Sequence, residues 1–208
     1  MTASQPTPLS LLERRLRMLT QGVVAEWGVY VRFLDNGDEI AINADAMMDT
    51  MSLIKVPLLV SLMRRVDRGE VDLGRRITLA EDQKRLGTGI LRYFEAGANF
   101  SLRDAVWLME AVSDNSATDI CLEAAGGVDA VNATMRELGI ESIRMIGTAL
   151  DWFRALGGSM APEFATLPPG EFARRGYPPL SADDMADVGP DTFRDRTALL
   201  GRNAAGLR

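Results

Sequence analysis

The sequence contains no histidine, and that absence removes a large share of hydrolytic chemistry. A Ser-His-Asp triad, a Cys-His pair and most catalytic zinc sites all require an imidazole. Cysteine is nearly as scarce. Cys121 stands alone, so the chain closes no internal disulfide and builds no thiolate metal site. Within a predicted short helix it reads as a small core residue. No metal and no cofactor is implied. Of 23 basic residues only Lys55 and Lys84 are lysines, and the rest are arginines. No stretch approaches the roughly 18 consecutive apolar residues of a membrane-spanning helix. The opening residues, MTASQPTPLSLLERRLRML, lack the basic start and apolar run of a signal peptide. As written the chain reads as cytoplasmic, or as periplasmic or secreted if a leader has been removed. A hydrolase built from this inventory must take its base from a lysine or a carboxylate.

What is there is ordinary in bulk. The 208 residues are 47% apolar and 25% charged, enough for one domain or two small lobes with a real core. The formal net charge of −6 argues against a nucleic-acid partner, which needs a basic face.

Ser10-Leu11-Leu12-Glu13 fits a capping box, with Leu12, Leu16 and Leu19 on one helical face and Gly22 at the end. Val29, Val31 and Phe33 then alternate with Tyr30, Arg32 and Leu34, Asp35-Asn36-Gly37-Asp38 makes a hairpin turn, and Glu39 to Ala44 returns. After residue 50 helical spacing takes over. Apolar stripes run through Leu58–Val66, Leu102–Val112 and Val128–Leu138, with a shorter helix from about Ser116 to Ala125 broken by Gly126-Gly127. Past residue 157 periodicity fades. Gly157-Gly158, Pro162, Pro168-Pro169, Pro178-Pro179 and Pro190 punctuate a long loop region with short helical pieces. The division is therefore 1–50, helix and β-hairpin; 51–156, helical lobe; 157–208, loop region and tail.

Two motifs carry chemistry. Ser52-Leu53-Ile54-Lys55 is an S-x-x-K tetrad at a helix start, where positions three apart share a face and a hydroxyl can meet an amine. A serine hydroxyl is a poor nucleophile until a base takes its proton, and a lysine serves once burial makes its neutral form accessible. Lys55 lies in an apolar run with Leu53, Ile54, Val56, Pro57 and Leu58, unlike a solvated lysine, and Pro57 so near the start suggests a distorted first turn. Ser113-Asp114-Asn115, 61 residues past Ser52, sits in a tight connection between two helices, where helix capping is the competing explanation.

Together the motifs resemble those of the class A β-lactamases and penicillin-binding proteins. Lys55-Val56-Pro57-Leu58, Gly87-Thr88-Gly89-Ile90-Leu91, Ser101-Leu102-Arg103-Asp104 and Gly126-Gly127 strengthen the likeness, which covers roughly residues 10 to 147. The resemblance implies an α+β fold, a helical lobe beside an antiparallel sheet, with the active site between them. It implies that Ser52 attacks an acyl carbonyl and Lys55 takes its proton. Ser113 then passes a proton toward the leaving nitrogen, and Asn115, with Thr88 and Gly89, holds the substrate. That substrate is a small amide or β-lactam.

The sequence departs from the family pattern in two places. Neither lysine begins the family's third motif, K-T-G, and no E-x-x-L-N pattern supplies a loop glutamate to activate water. Asp151, Glu163 and Glu171 are the carboxylates in that region, and each reads as a surface residue. No counterpart of the family's later sheet strands is read in the sequence, so the expectation is either a truncated chain or a homo-oligomer in which another copy covers the open hairpin edge. The functional expectation is a serine acyl hydrolase. The alternatives are an esterase or peptidase on the same scaffold, or a catalytically silent chain binding a ligand or partner through the old cleft.

Overall fold

The computed structural model describes residues 7–176 and 204–205. It resolves into two compact units, the first built on residues up to Met48 and the second beginning at Asp49.

In the first unit, helix α1 (Pro8–Gln21) starts earlier than its sequence suggests. Thr7, not Ser10, is the N-cap, accepting from the Ser10 N–H at 3.2 Å. Pro8 explains the shift, because the first helical position needs no N–H and favours proline's fixed φ. Glu13, freed from a capping box, pairs with Arg17 one turn on at 2.7 Å. Strands β1 (Val29–Arg32) and β2 (Glu39–Ile42) pair antiparallel from Val29↔Ile42 to Arg32↔Glu39. Gly37 takes φ +76°, as the tight turn requires. The returning strand stops at Ile42, two residues short of Ala44. Among the described residues the hairpin pairs with itself alone. Ile40 and Ala44 are buried in this unit, whereas Val24 and Leu34 are about 90% exposed.

The second unit holds the main core. Helix α2 (Lys55–Asp67) contributes Leu58 and Leu62, α3 (Leu102–Ala111) Met109, and α4 (Asn115–Ala125) Ile120 and Cys121 to one cluster. Burial pushes the Cys121 thiol up to about 12, so it packs as an inert small residue. Strands β3 (Arg76–Thr78) and β4 (Asn99–Ser101) form a short antiparallel pair that leads into α3. Ser101 and Asp104 cap that helix reciprocally: Asp104 accepts from the Ser101 N–H at 2.8 Å and Ser101 Oγ from the Asp104 N–H at 3.1 Å. Gly126 and Gly127, both at positive φ, separate α4 from α5 (Val128–Glu137). The α+β class holds.

The Pro/Gly-rich stretch is more helical than its composition suggests. Gly157 and Gly158 do not break the chain; they lie inside α6 (Ala149–Met160). A tight turn at Pro162–Ala165 and helix α7 (Pro169–Arg175) fold against α6, and Leu86, Phe153, Phe164, Leu167 and Phe172 make a second core cluster. Side-chain space explains the glycines. A Cβ on Gly158 would stand 2.7 Å from Ala165 Cβ, and one on Gly157 3.1 Å from Phe164 Cβ. The breaks expected at Pro178-Pro179 and Pro190 lie outside the described residues.

Candidate active site

Ser52 and Lys55 are brought together by a short 3₁₀ turn, Met51–Ile54, that runs into α2. In such a turn residues three apart eclipse, which stacks the hydroxyl under the amine. Pro57 falls in the first turn of α2, where a missing N–H removes no helical bond. The approach is strained. Met51 takes φ +46°, and its N–H donates to Asp49 Oδ1 at 2.8 Å. A left-handed non-glycine residue costs of order 1–2 kcal/mol, which the surrounding contacts must offset.

Ser113 is strained in the same way, at φ +56° in the connection between α3 and α4. Its hydroxyl lies 2.9 Å from Ser52 Oγ. Lys55 Nζ donates to Ser113 Oγ at 2.6 Å, to Ser113 O at 2.8 Å and to Asn115 Oδ1 at 3.2 Å, and it stands 3.4 Å from Ser52 Oγ. The two hydroxyls and the amine thus form one closed triangle.

Asp114 fixes the loop that carries this triangle. It is fully buried and accepts three backbone N–H bonds: from Ile90 at 2.7 Å, Leu91 at 2.8 Å and Ala117 at 3.0 Å. It therefore caps α4 and ties the 87–91 loop down at the same time. Helix capping and site assembly are one arrangement here, not competing explanations. Gly89 belongs to this anchor. It takes φ +112°, and a Cβ there would fall 2.3 Å from Asp114 Cγ. Thr88 Oγ1 donates to Ser113 O at 2.7 Å, and Asn115 Nδ2 donates to Leu86 O at 2.9 Å.

Lys55 is 5% exposed. Burial pulls its ammonium below the ordinary lysine range, opposed by the negative charges of Asp114, Glu110 and Asp119. The amine is thus shifted toward the neutral form that can accept a proton.

A cavity of about 270 Å³ opens beside the triangle. Ser52, Lys55, Thr88 and Asn115 are among its polar lining residues, and Ile54, Met145, Ala149, Trp152 and Phe153 make up an apolar wall. Every lining residue belongs to the second unit. Gly89 does not line it. No carboxylate does either, among the described residues. Asp151, close to where a loop glutamate would fall, is engaged at the start of α6: its Oδ2 accepts from Thr148 Oγ1 at 2.8 Å and from the Thr148 N–H at 2.9 Å. Glu163 is exposed, and Glu171 pairs with Arg175 at 2.6 Å.

Sequence reasoning did not find the apolar wall or what holds it. Asp119 is buried against Arg85 at 2.6 Å, and it also accepts from the Ala149 N–H at 2.7 Å and the Leu150 N–H at 3.3 Å. Burial pushes its carboxyl up, with Arg85 pulling it back down. The pair thereby fixes the first turn of α6 against α4. The T-x-x-D spacing of Thr148 and Asp151 was a legible sign that a helix begins there.

A hydroxyl, a second hydroxyl and a buried amine, held by a helix start and an S-D-N turn in an α+β frame, define a serine β-lactamase-like centre. The chain belongs to that group: residues 11–187 match the model of the beta-lactamase enzyme family. A "Beta-lactamase regulatory protein BlaB" of Streptomyces cacaoi is 32% identical over 54% of this chain and 36% of its own length. A beta-lactamase of Bacteroides uniformis is 26% identical over 71% of this chain and 50% of its own. The chain therefore spans half or less of these two relatives. Among solved structures, a beta-lactamase from Sphaerobacter thermophilus superposes with TM-score 0.60 at 24% identity, covering 76% of this chain and 65% of that one.

Proposed function

We propose that the protein is a serine acyl hydrolase that opens an amide or β-lactam by forming an acyl-enzyme on Ser52. The observation that carries this reading is the triangle of Ser52 Oγ, Ser113 Oγ and Lys55 Nζ, with edges of 2.9, 2.6 and 3.4 Å. As Ser52 Oγ attacks the carbonyl carbon, its proton passes to Lys55 once that amine has shed a proton of its own, directly or through Ser113 Oγ. The tetrahedral intermediate collapses, the C–N bond breaks, and Ser113 returns the proton to the leaving nitrogen. The Ser52 N–H, in the opening turn of the 3₁₀ segment, is one donor for the oxyanion. Asn115, held through Leu86 O and Lys55, faces the substrate from the cavity side.

Water must then cleave the ester. With no carboxylate among the described lining residues, deacylation is slow and the covalent adduct accumulates. The same observation supports a second reading, in which acylation without turnover makes the chain a covalent ligand-binding protein. Intact mass after incubation with benzylpenicillin tests both, with Ser52→Ala beside it. An adduct on wild type alone means a live nucleophile, and its lifetime separates hydrolase from binder. A wild-type chain left unmodified by both benzylpenicillin and p-nitrophenyl acetate would rule out the acyl-enzyme.

A further inference from the structure

The cavity beside Ser52 has a character of its own, and it bears on which acyl group the site accepts. Its apolar lining is Ile54, Met145, Ala149, Trp152 and Phe153. Trp152 and Phe153 meet edge to face, ring centres 5.2 Å apart, which stiffens the wall. The only cation among the described lining residues is Lys55. Its amine is already shared among Ser113 O, Ser113 Oγ and Asn115 Oδ1. An acyl chain ending in a carboxylate would therefore enter this apolar lining with no free cation to pair with, which is costly. The volume, about 270 Å³, also falls just under the roughly 300–1,000 Å³ typical of pockets for drug-sized ligands. A short linear chain fills it.

We propose that this cavity is an acyl-chain subsite selecting short, uncharged, apolar acyl groups, which p-nitrophenyl esters can deliver one length at a time. The inference rests on Ser52 being the acylated nucleophile. In the reaction Ser52 Oγ bonds to the acyl carbon and the ester C–O bond breaks. The Oγ proton passes through Lys55 and Ser113 to the leaving oxygen. Water later releases the carboxylic acid and restores the hydroxyl.

The test is pre-steady-state acylation by p-nitrophenyl esters, reading the burst of nitrophenol and the adduct mass. The donors are acetate, butyrate, hexanoate and decanoate, with a matched pair of similar length: pentanoate and the carboxylate-ended hemisuccinate. Ser52→Ala sets the background. Acylation should rise from acetate to butyrate, fall sharply by decanoate, and favour pentanoate over hemisuccinate at least tenfold. Ala149→Leu, which fills the cavity with a good helix former, should move the optimum toward acetate. If hemisuccinate matches pentanoate, or Ala149→Leu leaves the chain-length profile unmoved, the subsite is wrong while Ser52 acylation stands. If neither esters nor benzylpenicillin give a Ser52-dependent adduct, the nucleophile itself is wrong and the subsite falls with it.

Discussion

Lys55 Nζ stands 2.6 Å from Ser113 Oγ but 3.4 Å from Ser52 Oγ, so the buried amine is held more closely to the second serine than to the first. With the two hydroxyls 2.9 Å apart, the shortest proton path from Ser52 to the amine runs through Ser113. Removing that hydroxyl should slow Ser52 acylation by about 10²–10⁴-fold, the usual worth of a positioned acid–base group. Ser113→Gly is the cleaner variant, because glycine suits φ +56° and keeps the turn. The rate of adduct formation with benzylpenicillin, followed by quenched-flow mass spectrometry, measures it. A wild-type rate would mean that Lys55 acts on Ser52 directly.

The same amine gives a pH prediction with a definite sign. Burial lowers its pKa from 10.5, so acylation should rise with pH through a midpoint below that value. Between the folded and unfolded values the unfolded chain binds more protons at this site. Stability from this group therefore increases with pH across that window, and the full penalty is present below it. Glu110, exposed on α3, holds the proton on; Glu110→Gln should move the midpoint lower. A pH–rate profile of acylation for both proteins checks the direction. A midpoint at or above 10.5 would contradict the buried amine.

How far the sequence reached depends on whether each signal was local. S-x-x-K and S-D-N were legible because a helical turn and a cap fix their geometry within four residues. Their meeting across 61 residues rested on family likeness, since no local rule brings Ser113 to Ser52. Thr88 and Gly89 were both read as binding residues, yet only Thr88 lines the cavity; Gly89 makes room for the Asp114 anchor. The apolar wall was hidden for a different reason. Gly157-Gly158 has the composition of a break, and only the partner turn at Pro162–Ala165 reveals that the glycines are there for packing. The Arg85–Asp119 pair left no pattern in the chain at all, because its partners lie 34 positions apart.

That pair should matter to stability more than its size suggests. Side-chain exposures of 11% and 8% place both charges out of water. Asp119→Asn keeps an acceptor for the Ala149 N–H but strands the guanidinium, a loss of about 3–5 kcal/mol for a broken buried pair. Adding Arg85→Met removes the stranded charge and should recover most of it. Urea unfolding of the single and double variants tests the claim, and a single-variant loss under about 1 kcal/mol would show that the pair is solvated in practice.

Gly158 sets helix propensity against packing in one substitution. In a helix interior, glycine to alanine normally gains about 1 kcal/mol. Here the added methyl would stand 2.7 Å from Ala165 Cβ and 3.1 Å from Ala165 Cα. Such overlap against backbone typically costs about 1–3 kcal/mol, so Gly158→Ala should destabilise despite the better propensity. Ala165→Gly removes the nearer atom and should restore part of the loss in the double variant. The midpoint of thermal unfolding for the four proteins decides it. A Gly158→Ala chain more stable than wild type would mean that α6 and the Pro162–Ala165 turn do not pack this closely in solution.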